Sequence, residues 1–558
     1  MADVKLELVN EAFKNLEKLQ ERFLNCERAY LAKYKEDNRT TKRKNTERSR
    51  SRLYVPLIKT TVLIIHSIFK TSFMSDRCPI EITRVGLKSD SDLTLQNALT
   101  AVLKNRWKKT EHRVGLSKAV LSALYLPLGI TSLYYDGQEK KIRTRFIPIN
   151  DLAFDKDASD INDIEYVAYK WHQSIREVKQ KIKSKYYKQV EDEEAIYRAY
   201  SKDSSRIQMK DLYEKSYKDN KIVWKLKSFA NDVLVREATF SRLPFHFGYC
   251  IEDMPRILEE DRENQNCVYG SCISEIAREI QEEYNIKRNQ KIDITENQID
   301  PLYIIDKEVG EIAISDISAR KKYIRAQSIQ GKSISDIIQP LPQPNAYPLS
   351  EEIAMLKNEY EVITGVNSVM TGQTSPSDRR AMGALQTVNA SSSMRIESMM
   401  QTLMETMLSS YATHFVELIY KHTSDDDFIK ITEDEELIAK IGDESFRRSN
   451  RLDFDVNIEF GTTISKEVKI GQLNSLLGVL AQNGIQSIEI VSGILKEILT
   501  LILGENAPLE MIDEYIAQMQ AQQQAMAEQQ AMQAQQEAQE QELSDEQKEL
   551  ANLAMGGV

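Results

Sequence analysis

Residues 271–289, SCISEIAREIQEEYNIKRN, and residues 351–365, EEIAMLKNEYEVITG, decide the fold. In the first, Ile273, Ile276, Ile280 and Tyr284 recur at three- and four-residue intervals. They therefore share one face of a helix running from about Ser271 to Asn289 or beyond, with Glu275, Glu279, Glu282 and Glu283 beside them. In the second, Ile353, Leu356, Tyr360 and Ile363 form the same kind of stripe, and Gly365 supplies the stop. Between them lies a β-rich insertion, Tyr303 to Ile338, closed by Pro340, Pro342, Pro344 and Pro348. Two helices bracketing a small β module predict a stalk with a cap.

Downstream, the helical pattern from Ala381 to His422 keeps Ile396, Met400, Leu403, Met407, Tyr411, Phe415 and Leu418 on one apolar face. At about 1.5 Å per residue such a helix spans roughly 60 Å, longer than most compact domains need. Asn389 to Ser393 is a patch of small polar residues where it is expected to bend. Its methionines suit an adaptable core or subunit interface better than a cofactor site. Leu452 to Phe460 alternates like a strand, and Glu467 to Leu503 reads as helical pieces broken at Gly484 and Gly504. From Gln518 to Gln541 twelve glutamines mix with Ala and Met; the apolar seam of Ile512, Ile516, Met519 and Met526 is thin, so this helix needs neighbours, and the end beyond it is expected to fray.

Upstream, Leu8, Phe13, Leu16, Leu19 and Phe23 mark a long amphipathic helix over Leu6 to Lys33. A basic arm follows: Arg39, Lys42, Arg43, Lys44, Arg48, Arg50 and Arg52 are set against the single Glu47, with no aromatic residue among them. Such a run suits a solvated loop as well as an acidic protein neighbour or a nucleic-acid backbone. Leu53 through Phe69 reads as a buried helix, with His66 as a packing residue. A further helix between Leu95 and Leu126 runs into Pro127 and Gly129, then a strand that ends in a hairpin at Asp136-Gly137 and returns over Ile142 to Ile149. After an acidic turn and a strand over Ala158 to Val167, Ser174 and Glu177 sit at capping-box spacing.

Composition bounds the function. Hydrophobic residues at 41% and charged residues at 28% describe a chain that folds, and 558 residues suit three or four compact regions. The fold class expected is α+β, predominantly helical. No cationic n-region and apolar h-region opens the sequence, and neither long uncharged run, Ala119 to Tyr135 or Ile470 to Ile488, is apolar enough for a membrane span. Five scattered cysteines, Cys26, Cys78, Cys250, Cys267 and Cys272, fit buried thiols in a reducing compartment. The carboxylates Asp155, Asp157, Asp160 and Asp163 lack the glycine and terminal glutamate of a calcium loop. Residues 326–333, AQSIQGKS, match a phosphate-binding loop only at Gly331-Lys332-Ser333. Six histidines lie too far apart in sequence to nominate a base. No enzyme activity, metal or cofactor is expected.

Over roughly residues 50 to 505 the order of elements resembles the portal proteins of tailed double-stranded-DNA phages, of the short-tailed type. Four stretches carry the resemblance: YLPLGITSLYYDG; FIPINDLAFDKDASDINDIEYVAYKWHQSIREVKQ; YGSCISEIAREIQEEYNIKRNQ; and the long run from LKNEYEVITGV through the Arg395-Ile396 pair to METML. The chain departs from the family in having Asp155-Lys156 where an Asp-Pro is usual, and in a glutamine-rich tail shorter than the longest portal barrels.

The resemblance implies an N-terminal helix and basic arm over 1–52, a wing α/β region over 53–270, a first stem helix over 271–294 and a clip over 295–349. It continues with a second stem helix over 350–365, a channel loop over 366–380, a long kinked helix with wing strands over 381–465, a crown over 466–510 and a helical tail over 511–558. It also implies a ring, commonly of twelve subunits, at the capsid vertex, assembled in the host cytoplasm. Its expected partners are terminase at the clip, the major capsid or scaffolding protein, a tail adaptor protein, and duplex DNA that passes without sequence specificity. Arg379 and Arg380 would then lie in the channel loop near DNA, or pair with carboxylates between subunits, and Arg320, Lys321 and Lys322 would offer a docking surface to the motor. The net charge of −11, from 74 basic and 85 acidic residues, makes a poor general polyanion binder but suits a conduit that lets its cargo slide. A helical adaptor or scaffold, and a DNA-binding protein working through the basic arm, are the competing readings.

Overall fold

The structure is a computed structural model that describes residues 2–33, 51–74, 78–84, 90–188 without 138 and 159, 196, 206–253, 268–299, 303–305, 333, 338–340, 342, 345–367, 394–434, 437–449 and 454–458, then 470, 473–478, 480 and 488–503. It divides into two units, Met1–Phe460 and Gly461–Val558. Helices outweigh strands, as the α+β expectation has it.

The first unit opens with α1 (Ala2–Leu31), whose Phe13, Leu16, Leu19 and Phe23 are buried along the expected stripe. The next helix, α2, spans Leu57–Phe73 and starts later than the apolar run suggests. Pro56 disfavours helical backbone in the residue before it, so residues 51–56 form a strap instead, and Leu53 is 45% exposed. β1 (Ile80–Arg84) leads to α3 (Asp90–Lys108) and α4 (Thr110–Tyr125). The single helix expected there is two, because Lys109 is extended at φ −72° and ψ 122°. That break sets Trp107 edge-on to Phe73 at 5.8 Å and lets His112 Nδ1 meet Thr144 Oγ1 at 2.7 Å.

Strand β2 (Gly129–Asp136) pairs with β3 (Lys141–Phe146), closing the hairpin at Asp136-Gly137. A Cβ at Gly129 would lie 2.2 Å from the Ala119 carbonyl oxygen, so only glycine lets the strand leave this close to α4. The return strand ends at Phe146 rather than Ile149, since Pro148 has no N–H for the ladder and a 3₁₀ turn over Ile149–Asp151 follows. The strand expected over 158–167 begins instead at Tyr166. Asp160 caps a second 3₁₀ turn, Ile161–Asp163, and holds the preceding chain out of the sheet. An antiparallel meander of β4 (Leu152–Phe154), β5 (Tyr166–Ser174), β6 (Arg206–Lys218), β7 (Lys221–Ala230) and β8 (Val233–Phe240) follows. Its two tight hairpins turn on Asp219-Asn220 and Asn231-Asp232, all four at positive φ, the geometry that asparagine and aspartate tolerate best. Between β5 and β6, α5 (Ile175–Lys183) starts at Ser174, whose Oγ accepts the Glu177 N–H at 3.3 Å, the predicted cap. β9 (Phe245–Gly248) then joins the far side of β2.

The two helices that decide the fold are α6 (Ile273–Ile299) and α7 (Tyr347–Thr364). Between them β10 (Tyr303–Ile305) pairs antiparallel with β11 (Ile338–Pro340), the two ends of the predicted insertion. Helix α7 begins four residues before Glu351, because a proline is tolerated in a first turn and Pro348 sits there.

Helix α8 runs over residues 394–422, interrupted by a π-turn at Met404–Leu408. Ile396, Met400, Leu403, Met407, Tyr411 and Phe415 are buried as expected on both sides of the π-turn, and at the far end the buried position is Ile419 rather than Leu418. The predicted bend at 389–393 lies outside the described residues. After the short helices α9 (Asp425–Thr432), α10 (Leu437–Ile441) and α11 (Glu444–Ser449), β12 (Phe454–Ile458) pairs with β1. In the second unit, α12 (Ile488–Leu503) buries Ile494 and Ile498. No described helix is long and apolar enough to cross a membrane.

Candidate functional site

Helices α6 and α7 pack against each other, and the Lys287 ammonium meets the Glu352 carboxylate at 2.7 Å across them. The buried face of α6 is only in part the predicted stripe. Ile273 and Tyr284 are buried and Ile280 packs partly buried against the core, but Ile276 is exposed, and the rest of the buried face is Ser274, Ala277, Gln281 and Asn285. Gln281 and Asn285 occupy it because they hold backbone.

Asp293 Oδ1 accepts the Ser51 N–H at 2.8 Å, and Asn289 Oδ1 accepts that of Leu53 at 2.8 Å while its Nδ2 donates to the Leu53 carbonyl at 3.0 Å. Asn285 repeats this double bond at Val55, at 2.7 and 3.2 Å. Gln281 Oε1 accepts the Ile58 N–H at 2.8 Å, capping the otherwise uncapped start of α2, and its Nε2 donates to the Ala29 carbonyl at 2.8 Å. The spacing explains the register: four helical residues rise about 6.0 Å, and two extended residues about 6.6 Å. From Asp293 to Asn285, side chains one turn apart on α6 therefore meet alternate peptide groups of the strap as a neighbouring strand would, and Gln281 reaches past Pro56 to the start of α2.

Helix α7 has two faces. Inward, Leu356, Tyr360 and Thr364 are buried, and Tyr360 Oη lies 2.8 Å from Thr61 Oγ1; burial pushes this phenol up. Outward, Tyr347, Met355 and Val362 are 66%, 61% and 67% exposed and follow one another at seven- and eight-residue intervals, with Glu351 and Glu359 between them. Ile363, predicted to face in, is also exposed. The helix ends as predicted at Gly365, φ +71°, whose N–H bonds the Glu361 carbonyl. Arg395 at the start of α8 folds over this end, donating to the carbonyls of Val362 and Ile363. The chain thus leaves α7 through buried Val366 and Asn367 and comes back to the same point. Arg395 was visible in sequence only as half of the Arg-Ile pair; the carbonyls it binds were not.

The expected contact residues Arg379 and Arg380, Arg320, Lys321 and Lys322, and all of the basic arm up to Arg50, lie outside the described residues; Arg52 is exposed on the strap. So do the phosphate-loop-like residues 326–332 and the glutamine-rich tail. Asp155 and Asp160 are engaged locally, accepting the backbone N–H groups of Asp157 and Ile161. Among the described residues, no group of three or more His, Cys, Asp or Glu stands close enough to hold a metal ion.

Two histidines far apart in sequence do meet: His246 Nε2 lies 2.9 Å from His414 Nδ1, with Ser410 Oγ 3.0 Å from the other nitrogen of His246. The pair is buried between β9 and α8. Desolvation, followed by the positive charges of Arg242 and Lys421, takes His414 down to about 3, and burial with the neighbouring His414 takes His246 well below its usual range. Both rings are neutral packing elements. His66 is half-buried against Ser117, in line with the packing role expected of it.

The sequence model of the family described as "Phage SU10 portal protein" matches residues 262–544, just over half of the chain, from before α6 to beyond α12. No curated protein matches.

Proposed function

The chain belongs to the phage SU10 portal protein family, and from that premise we propose that copies of it stand side by side in a ring, commonly of twelve, at the capsid vertex, as the conduit for packaging and ejecting double-stranded DNA. The observation that carries this reading is the outward face of α7. Tyr347, Met355 and Val362 leave an apolar stripe uncovered by the chain's own described residues, on the helix pair that stands as the stem. Large apolar side chains left exposed at regular spacing along one helix face, with Glu351 and Glu359 between them, suit a contact with another molecule. In the same reading α6 and α7 are the stem, β10, β11 and the residues between them the clip, the sheets and α8 the wing, and α12 part of the crown.

The finer roles follow the same reading. Arg320, Lys321 and Lys322 face the terminase, whose ATPase supplies the motor work; Arg379 and Arg380 lie in a loop leaving the end of α7 and touch passing DNA. The capsid or scaffolding protein and a tail adaptor are the remaining partners. With a net charge of −11 the body repels a polyanion, and a few local cations grip it only transiently. Electron microscopy of the purified chain tests this: rings with an axial hole as wide as duplex DNA are expected. A stable monomer, or the dimer of an adaptor protein, would overturn the reading.

A further inference from the structure

Cys26 and Cys272, 246 residues apart in sequence, bring their sulfur atoms to 3.8 Å. Cys26 lies near the end of α1, and Cys272 immediately precedes α6. Both are free thiols, 2% and 0% exposed. Contacts at matching offsets hold them face to face. Three residues before each cysteine, the rings of Phe23 and Tyr269 pack at 5.5 Å. One turn before Cys26, Arg22 makes a two-pronged ion pair with Glu275 and donates to the Gly270 carbonyl at 2.8 Å. The Cys272 thiol also donates to the Tyr125 carbonyl at 3.3 Å, which fixes its rotamer toward Cys26. Nothing in the portal reading uses either thiol.

We propose that Cys26 and Cys272 are a cross-linking site, a thiol pair that a small peroxide converts into a disulfide tying α1 to the start of α6. One thiolate attacks the peroxide O–O bond, giving a sulfenic acid and one water. The second sulfur then displaces the sulfenic oxygen as a second water, forming the S–S bond. Two thiols and one peroxide become one disulfide and two waters: each sulfur gives up one electron, and the two peroxide oxygens take up both. A peroxide is the fitting oxidant because the pair is buried, and larger disulfide reagents have no room to form a mixed disulfide there. The neighbouring sulfur and burial hold Cys26 as a thiol, so the reaction is slow and waits on local opening of the Arg22–Glu275 bridge. The chain would therefore assemble reduced and be locked later. Once formed, the bond closes a loop that contains the strap and the whole of the basic arm.

The test uses the purified full-length chain with hydrogen peroxide as the probe. After oxidation, free thiols are alkylated in denaturant without reductant, and the protein is cut with trypsin and chymotrypsin so that cleavage at Tyr269 separates Cys267 from Cys272. The expected product joins the peptide of residues 24–28 to that of residues 270–278, two hydrogen masses below their sum, while Cys78 and Cys250 carry the alkyl group. Oxidised chain should also unfold at higher denaturant than reduced chain, and Cys26→Ser should abolish both the link and the shift while keeping the reduced protein's circular dichroism. Alkyl groups on both Cys26 and Cys272 after oxidation, or a bond from Cys26 to Cys267, would overturn the proposal. Because peptide mapping of the natural sequence needs no variant and no ring, this outcome is independent of the portal reading.

Discussion

Replacing Gln281 with methionine is the sharpest probe of how the strap is held. Methionine keeps the length and volume of the side chain but deletes both of its hydrogen bonds, leaving the Ile58 N–H without its partner and the Ala29 carbonyl with only its bond from the Ala32 N–H, in positions that are 0% and 1% exposed. An orphaned buried N–H costs about 2 kcal/mol and the second bond of the carbonyl is worth about 1 kcal/mol, so together the change should cost about 3 kcal/mol of local stability. At about 1.4 kcal/mol per tenfold, amide hydrogens across residues 55–58 should exchange roughly 100-fold faster, while those of α8 stay unchanged. Asn289→Ala is the internal comparison. Its partner Leu53 is 45% exposed, water replaces the lost bonds, and the cost should be about 0.5 kcal/mol, or roughly twofold in exchange. Hydrogen exchange with mass spectrometry on the intact chain reads both. If Gln281→Met protects residues 55–58 as well as Asn289→Ala does, the side-chain ladder does not hold the strap and the reasoning fails.

Gly365→Ala should destabilise by about 1–2 kcal/mol, seen as a lower melting temperature, because φ is +71° there and the new Cβ would press on Arg395 Cβ at 3.2 Å. Arg447→Met should cost about 3 kcal/mol and expose residues 423–449 to proteolysis, since this fully buried guanidinium, stacked over Phe428, holds Asp425 at 2.7 Å together with the carbonyls of Thr423 and Gly442. Burial first, then Arg106 and Lys109, takes His112 down to about 4, and His414 is down to about 3, so the folded chain refuses protons that the unfolded chain accepts below about 6.5. Stability should fall as pH drops from about 7.5, by about 1.4 kcal/mol per such histidine at pH 5.5, and His112→Asn, which keeps a partner for Thr144, should remove one such share from the melting curves. Met355→Glu with Val362→Glu changes two exposed positions, so the monomer should keep its stability within about 0.5 kcal/mol, whereas light scattering should show loss of the ring.

What could be read in the sequence was whatever apolar periodicity controls. The stripe of α1, the face of α8 up to Phe415, the Ser174 cap, the Gly365 stop and the strand at Phe454 to Ile458 all follow from residue type and spacing alone. The stripe on α6 accounts for only part of its buried face because burial there also serves hydrogen bonding: Gln281 and Asn285 look like surface residues until the strap that they bind is known. The five-stranded meander left only the Asp219-Asn220 and Asn231-Asp232 pairs as turn signals, and its alternation is blurred by lysines such as Lys210, whose ammonium reaches Asp232 at 2.6 Å. The π-turn, the His246–His414 pair and the Cys26–Cys272 contact are tertiary, joining segments whose separation in sequence hides them. Of the candidate site, the two helices were legible, but which face of each looks outward was not.

The expected DNA and motor contacts other than Arg52 fall in three stretches, 34–50, 306–337 and 368–393, and the ends of each are tied to α6, to α7 or to the strand pair between them. The first runs from α1, whose Ala29 carbonyl Gln281 holds, to Ser51, whose N–H Asp293 holds. The second is closed by the pairing of Ile305 with Ile338, and the third by Arg395 over the end of α7. Loop closure costs entropy that grows only slowly with length, and here folding has already met that cost before any partner arrives. A charged segment held at both ends needs less further ordering to make a contact than a free tail of equal composition. The fold thus permits an acidic body to carry a few cations at chosen places without becoming a general binder of polyanions. On the proposed reading, the ladder on α6 and the arginine over α7 therefore serve those contacts as much as the lysines and arginines would themselves.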